Sequence, residues 1–471
     1  MSARSDAIVI GGGLNGLVAA TYLAKAGRKV LLLEAEEILG GSCRASAALP
    51  GVRASLGAHA LTALDPRLVK DLGLRGLKFA ARDLPTVALR PDGHHLVLGR
   101  DAHASARAIA AQSPADAETY RRMRSEIFAL GRAMRPLWWD GLSDAFSDPL
   151  FSRLKVASAT AFLSNLESEP LKAAIAFDAG MPMQSGSALA LVWRAAQEMC
   201  GLQGAMAMPF GGVAALADML IIAAQAAGIE IRTKARVAKI LADSAVAGVS
   251  LDTGEEIYSR AVLSSLSRRE TLLDLSPTAA AGFSETARLE RAAPLTGDAA
   301  ILFLLNAAPD FGAPNGRFLI AERLDAYAAA ESIAREGRLP DELLIEAVVA
   351  TAADPSLAPT GLHVLSVRVH GLPLAPEGGS AEIIKRVIAA LERHTPHLRE
   401  RIIGLDIRLP YEQDVFSGER LAAAYAERVE TPVEGLFLCG TGAEPMNAIS
   451  GRAGRLAAGI AQAWLAREKR A

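Results

Sequence analysis

Positions 7–10 form an unbroken, largely β-branched run that stops on glycines, and positions 17–20 and 23–24 then carry the apolar spacing of a buried helix face that closes at Gly27. A second strand at 29–33 follows. Strand, helix and strand at these lengths predict a βαβ unit, because parallel strands need a crossover of this size. From about 61 to 200 the pattern changes to longer segments with Ala- and Arg-rich faces at 102–111, 116–130 and 169–176, broken at prolines, and predicts an inserted helical region. The turn at 209–212 opens a helix over 213–227, a strand over 230–233 and a strand pair over 237–241 and 245–251, which returns the chain to alternating α and β structure. Alternation at 299–305, 343–349 and 363–370, between loops rich in Pro, Asp and Gly, predicts an antiparallel sheet with one solvated face. A last strand at 436–439 enters Gly440-Thr441-Gly442, and 451–467 reads as a closing helix, so both ends of the chain rejoin one α/β domain.

Composition narrows the partners. Across 471 residues, 50 Lys+Arg face 52 Asp+Glu, a net charge of −2, so no basic field is available for nucleic acid. Hydrophobic residues at 51% and charged residues at 22% describe an ordinary globular chain long enough for two or three domains. Cys43, Cys200 and Cys439 lie far apart without a C-x-x-C pair, which predicts neither a zinc site nor a redox dithiol. Apolar stretches such as 214–228 and 300–305 are interrupted or too short to span a bilayer, and the first strand leaves no room for a secretory leader before it. A cytoplasmic protein is expected, with peripheral membrane contact left open and its oligomeric state unset.

The first glycine cluster carries the chemistry. Gly11-Gly12-Gly13-Leu14-Asn15-Gly16 fits G-x-G-x-x-G between a strand and a helix, and Glu34, followed by Ala35, ends the next strand. Gly11 allows the tight turn, Gly13 lets backbone approach a pyrophosphate, Gly16 permits close helix–strand packing, and Glu34 can accept a ribose 2′-OH. NAD and FAD share this fingerprint. Gly41 just beyond Glu34 and the second glycine loop at 440–442 favour FAD, a long cofactor that meets both chain ends. No second fingerprint is present for a nicotinamide nucleotide.

The sequence resembles the phytoene desaturase-like branch of FAD-dependent oxidoreductases, which is related to flavin amine oxidases. The resemblance is carried by residues 6–41, 54–74, 209–231, 354–364 and 431–457. It implies a discontinuous Rossmann-type FAD-binding domain (1–60, 205–268 and 425–471) interleaved with a substrate domain of antiparallel sheet plus helices (61–204 and 269–424). It further implies that Gly11, Gly13, Asn15, Gly16, Glu34, Ala35 and Gly41 hold the ADP half of FAD, that Val237 meets the adenine, and that Gly440, Thr441 and Gly442 approach the pyrophosphate. The loop departs from the family pattern, since Glu444 replaces a histidine and Met446-Asn447-Ala448 replaces three glycines. Side chains of Met446 and Asn447 would then stand against the pyrimidine end of the flavin ring.

A flavin takes up hydride at its own N5, so few catalytic side chains are expected. The candidates are His59, in the Gly57-Ala58-His59 turn that by resemblance passes the flavin, together with Glu444 and Asn447. A structural histidine at 59 and a helix-capping or arginine-pairing Glu444 are the alternatives. His363 and His370, seven apart, fall on opposite faces of one strand and read as structural. Trp138-Trp139 suits core packing better than a membrane interface. Cys439 reads as a buried strand residue and not a flavin attachment point. The resemblance implies dehydrogenation of carbon–carbon bonds in a small apolar, carotenoid-like substrate; with no second nucleotide fingerprint, oxygen and a quinone both stay open as electron acceptor. Amine or alcohol oxidation, and a non-catalytic binding partner on the same fold, are the alternatives.

Overall fold

The computed structural model describes residues 5–140, 149–180, 182–277, 282–291, 296–412, 428–440, 442–443, 446 and 448–468. Two seven-stranded sheets organise the chain. In the first, Ser5–Ile10 pairs in parallel with Val30–Leu33 on one side and Glu256–Ser264 on the other. Glu230–Arg232 extends the Val30–Leu33 edge and Leu436–Leu438 pairs with the far end of Glu256–Ser264, both in parallel. An antiparallel pair, Val237–Ala242 and Val246–Leu251, completes it. The central strands are buried on both faces, hence the unbroken apolar runs that the sequence shows there.

Helix Leu14–Lys25 buries Leu14, Leu17, Val18 and Thr21 at helical spacing. It shares one core with the helices Gly212–Ala226 and Arg452–Glu468, whose Leu216, Leu220 and Ala457 are buried in it. The helical region is real but shorter than its predicted span. Residues 79–98 form three short strands, two of which, Thr86–Ala88 and Leu96–Leu98, join the second sheet. Helix Pro114–Asp140 runs well past 130, with Pro136 inside it. That carries Trp138 fully into a helical core, while Trp139 is half-buried beneath the guanidinium groups of Arg135 and Arg452, about 5 Å from its ring.

The second sheet runs Ile402–Glu412, Thr296–Leu305, His363–Pro373, Leu344–Val349, Arg317–Ile320, Thr86–Ala88, Leu96–Leu98. It is antiparallel except where Arg317–Ile320 meets Thr86–Ala88. Strand residues alternate faces. Leu365, Val367 and Val369 point into an apolar layer shared with Ile383, Val387 and Leu391 of helix Gly379–Glu392. Ser366, Arg368 and His370 therefore point the other way. The polar face expected to meet solvent is instead the floor of an internal cavity, so its polar residues are charged partners and not a solvated surface.

Candidate active site

Ile10 and Leu33, at the C-terminal ends of the central strands, and Ser265, just past the end of Glu256–Ser264, open onto a cavity of about 490 Å³. Ligands of open α/β sheets bind at this edge. The wall contains Gly11, Gly13, Asn15, Glu34, Ala35 and Gly41, joined by Val237 and Gly440. Gly13 caps helix Leu14–Lys25 without any side-chain hydrogen bond, which leaves a bare helix N-terminus facing the space, the electrostatic environment an anionic pyrophosphate seeks. Gly16 is not in the wall. A Cβ there would lie 1.9 Å from the Gly11 carbonyl oxygen, so its role is to let the helix seat against the turn. The Glu34 carboxylate accepts from the Gly12 N–H at 2.7 Å and from the Glu36 N–H at 2.8 Å, which fixes it in the wall with lone pairs remaining. Gly440 passes so close to the loop after Glu256–Ser264 that a Cβ would sit 1.9 Å from the Ser265 carbonyl oxygen. The residues present fit an adenine dinucleotide: an anion-accepting helix end, an acid at ribose position and bare backbone where a diphosphate must approach.

A second cavity of about 800 Å³ shares Ser42, Ser265, Leu266, Glu270, Asp274, Ala448 and Ile449 with the first, so the two form one continuous space. Met446 and Ala448 line the second cavity without filling it, and Met446 leans partly into the helical core. Thr441, Glu444 and Asn447 lie outside the described residues. Gly442 packs on the Leu266 carbonyl, which accepts from its N–H at 3.3 Å. Of the arginines expected to pair with Glu444, Arg455 is held by Asp65 at 2.6 Å and Arg452 donates to Gln197 at 3.2 Å.

His59 stands in the wall of this second cavity, only 9% exposed. Its Nε2 lies 2.5 Å from Glu346 Oε1, and Ser366 Oγ is 3.4 Å from Nδ1. Glu346 Oε2 takes the Arg317 guanidinium at 2.6 Å, and Arg317 reaches on to Asp178 at 2.6 Å. Burial alone would raise the Glu346 carboxyl, but Arg317 and the His59 hydrogen bond outweigh it and hold Glu346 well below the ordinary carboxylate range. Burial also dominates at His59, and with help from Arg368 and Arg317 it keeps the imidazole below its usual value despite the pull of Glu346. The consistent assignment is a neutral His59 whose Nε2–H donates to ionised Glu346 while its Nδ1 lone pair faces the Ser366 hydroxyl.

Glu346, Arg317, Arg194, Arg368 and Arg408 escaped sequence reading, although all five line this cavity. A signal exists in 343–349 and 363–370, where one charged residue interrupts each apolar alternation. Which face it occupies depends on pairing with strands far away. His363 and His370 do fall on opposite faces by parity; His370 Nδ1 sits 2.8 Å from Asp298, and its ring meets Phe177 edge-on at 4.9 Å. The three cysteines are unpaired, and burial raises the thiols of Cys43 and Cys439. Among the described residues no helix is long and apolar enough to cross a membrane and no group of side chains is arranged to hold a metal ion.

Known proteins supply the frame for this geometry. Residues 9–72 match the model of an NAD(P)-binding Rossmann-like domain. Pyridine nucleotide-disulfide oxidoreductase domain-containing protein 2 of Rattus norvegicus is 30% identical over 97% of this chain and 93% of its own. Hydroxyneurosporene desaturase of Rhodobacter capsulatus is 29% identical over 55% of each chain. Cyclohexylamine oxidase from Brevibacterium oxydans superposes over 100% of both chains with a TM-score of 0.63 at 16% identity, a likeness of fold. The chain belongs to the family of the pyridine nucleotide-disulfide oxidoreductase domain-containing protein 2, within the phytoene desaturase-like flavin-dependent oxidoreductases.

Proposed function

We propose that this protein is an FAD-dependent oxidoreductase that removes two hydrogens from adjacent carbons of a small molecule held in the His59 cavity. The observation that carries the reading is the buried His59–Glu346 pair in the wall of a space continuous with the dinucleotide cavity. FAD, when bound, supplies the two-electron acceptor for the hydride. The chain's own work is to hold the adenosine end at Glu34 and Val237, to keep the pyrophosphate on the helix beginning at Leu14, and to accept the proton. His59 Nδ1 takes that proton, and the imidazolium so formed is stabilised by Glu346, which is itself kept ionised by Arg317. Oxygen or a quinone then receives the electrons.

The relatives' desaturase chemistry supports carbon–carbon dehydrogenation. Amine oxidation, suggested by the likeness to cyclohexylamine oxidase, is the alternative: the wall sets Arg194, Arg317, Arg368 and Arg408 against Asp178, Glu270, Asp274 and Glu346, so its charges balance, and what disfavours an amine is that Phe177 and Trp193 alone, among the described lining residues, could offer the aromatic faces of a cage. The same arginines argue against a wholly apolar polyene. Purified protein should be yellow and retain FAD, and anaerobic bleaching by candidate substrates should fall about 10²–10⁴-fold in His59→Gln with the flavin still bound. A preparation that stays colourless after FAD is added overturns the assignment. So does bleaching that His59→Gln leaves unchanged.

A further inference from the structure

The floor of the second cavity carries an ordered row of side chains. Arg408, Ala300, Arg368 and Glu346 are direct partners across four neighbouring strands, so all four project from the same face. Neighbouring strands lie about 4.8 Å apart, which separates the two arginine Cα positions by roughly 10 Å with only a methyl group between them. Arg368 faces Glu346 directly, yet both oxygens of that carboxylate are engaged elsewhere, Oε1 by His59 and Oε2 by Arg317. Among the described residues the Arg368 side chain has neither a hydrogen bond nor an ion pair, although it is half-buried in the cavity wall. Trp193 lines the same space at 2% exposure, and its indole N–H is buried with no acceptor. Arg194 in the same wall reaches only the Ala205 carbonyl, at 3.5 Å. Of the four carboxylates in the wall, Asp178 pairs with Arg317 and Glu346 with Arg317 and His59, while Glu270 and Asp274 stand where this cavity joins the first.

A guanidinium that lines a cavity without a side-chain partner is free to take an anion, and a buried N–H without an acceptor costs free energy until one is supplied. We propose that the substrate carries a carboxylate, and that Arg368 anchors it on the sheet floor beside His59, with the Trp193 indole as a further donor. The proposal rests on the reading of this space as a flavin oxidoreductase site and names its substrate class: an organic acid whose hydrocarbon part lies toward Phe177 and Met446. An anchored carboxylate fixes which carbons of the acid lie near the His59 base. The other source of an anion here is the cofactor's own diphosphate.

The test uses the flavin-loaded protein, titrated with phenylacetate and with 2-phenylethanol, an alcohol of the same size, while flavin absorbance and tryptophan fluorescence are followed. Phenylacetate should bind about tenfold or more tightly than the alcohol, because a charge-assisted hydrogen bond is at stake, and the preference should weaken as salt rises. Arg368→Gln should abolish the preference while keeping its flavin, and Arg368→Lys should retain part of it. Equal binding of the two probes by the unaltered protein overturns the proposal, as does a preference that survives Arg368→Gln. Loss of flavin in Arg368→Gln without any carboxylate preference in the parent also overturns it, and assigns the arginine to the cofactor diphosphate. A protein that never takes up flavin defeats the oxidoreductase reading alone, since quenching of fluorescence by phenylacetate over 2-phenylethanol still reports the anion site.

Discussion

Glu346 holds two buried partners at once, and each would be stranded without it. Removing its charge leaves Arg317 with Asp178 alone and His59 with no anion behind it, and breaking a buried ionic network from one side costs about 3–5 kcal/mol. Glu346→Gln should therefore lower stability by about 3 kcal/mol in urea unfolding, near the low end because Asp178 remains; a loss below about 1 kcal/mol would show that the network contributes little. The same residues set the response to acid. Both His59 and Glu346 titrate below their unfolded values, so the unfolded chain binds more protons as pH falls and stability declines with acidification. The decline should start below about pH 6.5 from His59 and steepen below about pH 4.3 from Glu346, the unfolded values of the two groups. His59→Gln should flatten the midpoint-versus-pH curve between about pH 5 and 6.5 and leave the acidic limb in place. Superimposable curves for the two proteins would remove His59 from the account.

At the scale of elements, the glycine turn and its helix show what a local sequence can and cannot carry. Gly16 must be glycine because the Gly11 carbonyl occupies the position of its Cβ, so Gly16→Ala has to push the helix Leu14–Lys25 off the sheet. The expected cost is about 1–3 kcal/mol of stability together with reduced flavin content, measured by thermal unfolding and by the ratio of flavin to protein absorbance. Full flavin content in a stable variant would refute the packing role. This turn was legible because strand, glycines, helix and acid lie within about thirty residues, the span of one βαβ unit. The sheet floor was not. Glu346 and Arg368 lie 22 positions apart, and only the pairing of Leu344–Val349 with His363–Pro373 puts them side by side. The strands within 79–98 were hidden for a related reason. Each is three residues long, too short for an alternation to register, and two of them are held by the distant strand Arg317–Ile320 and by each other. His59 was visible as a residue, but the base it can become depends on Glu346, 287 positions away.

Over the whole molecule the charge nearly cancels, at −2, and one cavity wall gathers four arginines and four carboxylates; bulk composition says nothing about where such charges meet. The dinucleotide cavity likewise belongs to no single segment. Its wall draws on the first glycine turn, on Gly41 and Cys43, on Ala235 and Val237, on Ser265 and Leu266 after Glu256–Ser264, and on Gly440 near the carboxyl end. A ligand that spans these parts binds only the folded chain, and it stabilises the fold by about 2.7 kcal/mol at a concentration one hundred times its dissociation constant. FAD touches all of them if its adenosine lies at Glu34 and Val237. FMN lacks the adenosine and would leave that end of the cavity unfilled. Flavin-stripped protein should accordingly melt at a lower temperature than the parent, recover on addition of FAD, and recover little with FMN at the same concentration. Glu34→Ala should shrink the gap between the two flavins by weakening FAD alone, because the carboxylate serves the ribose that FMN does not have. If FMN restores the melting temperature as fully as FAD, or if Glu34→Ala weakens both equally, the adenosine does not occupy the Glu34 end and the orientation of the cofactor along the joined cavities must be reversed.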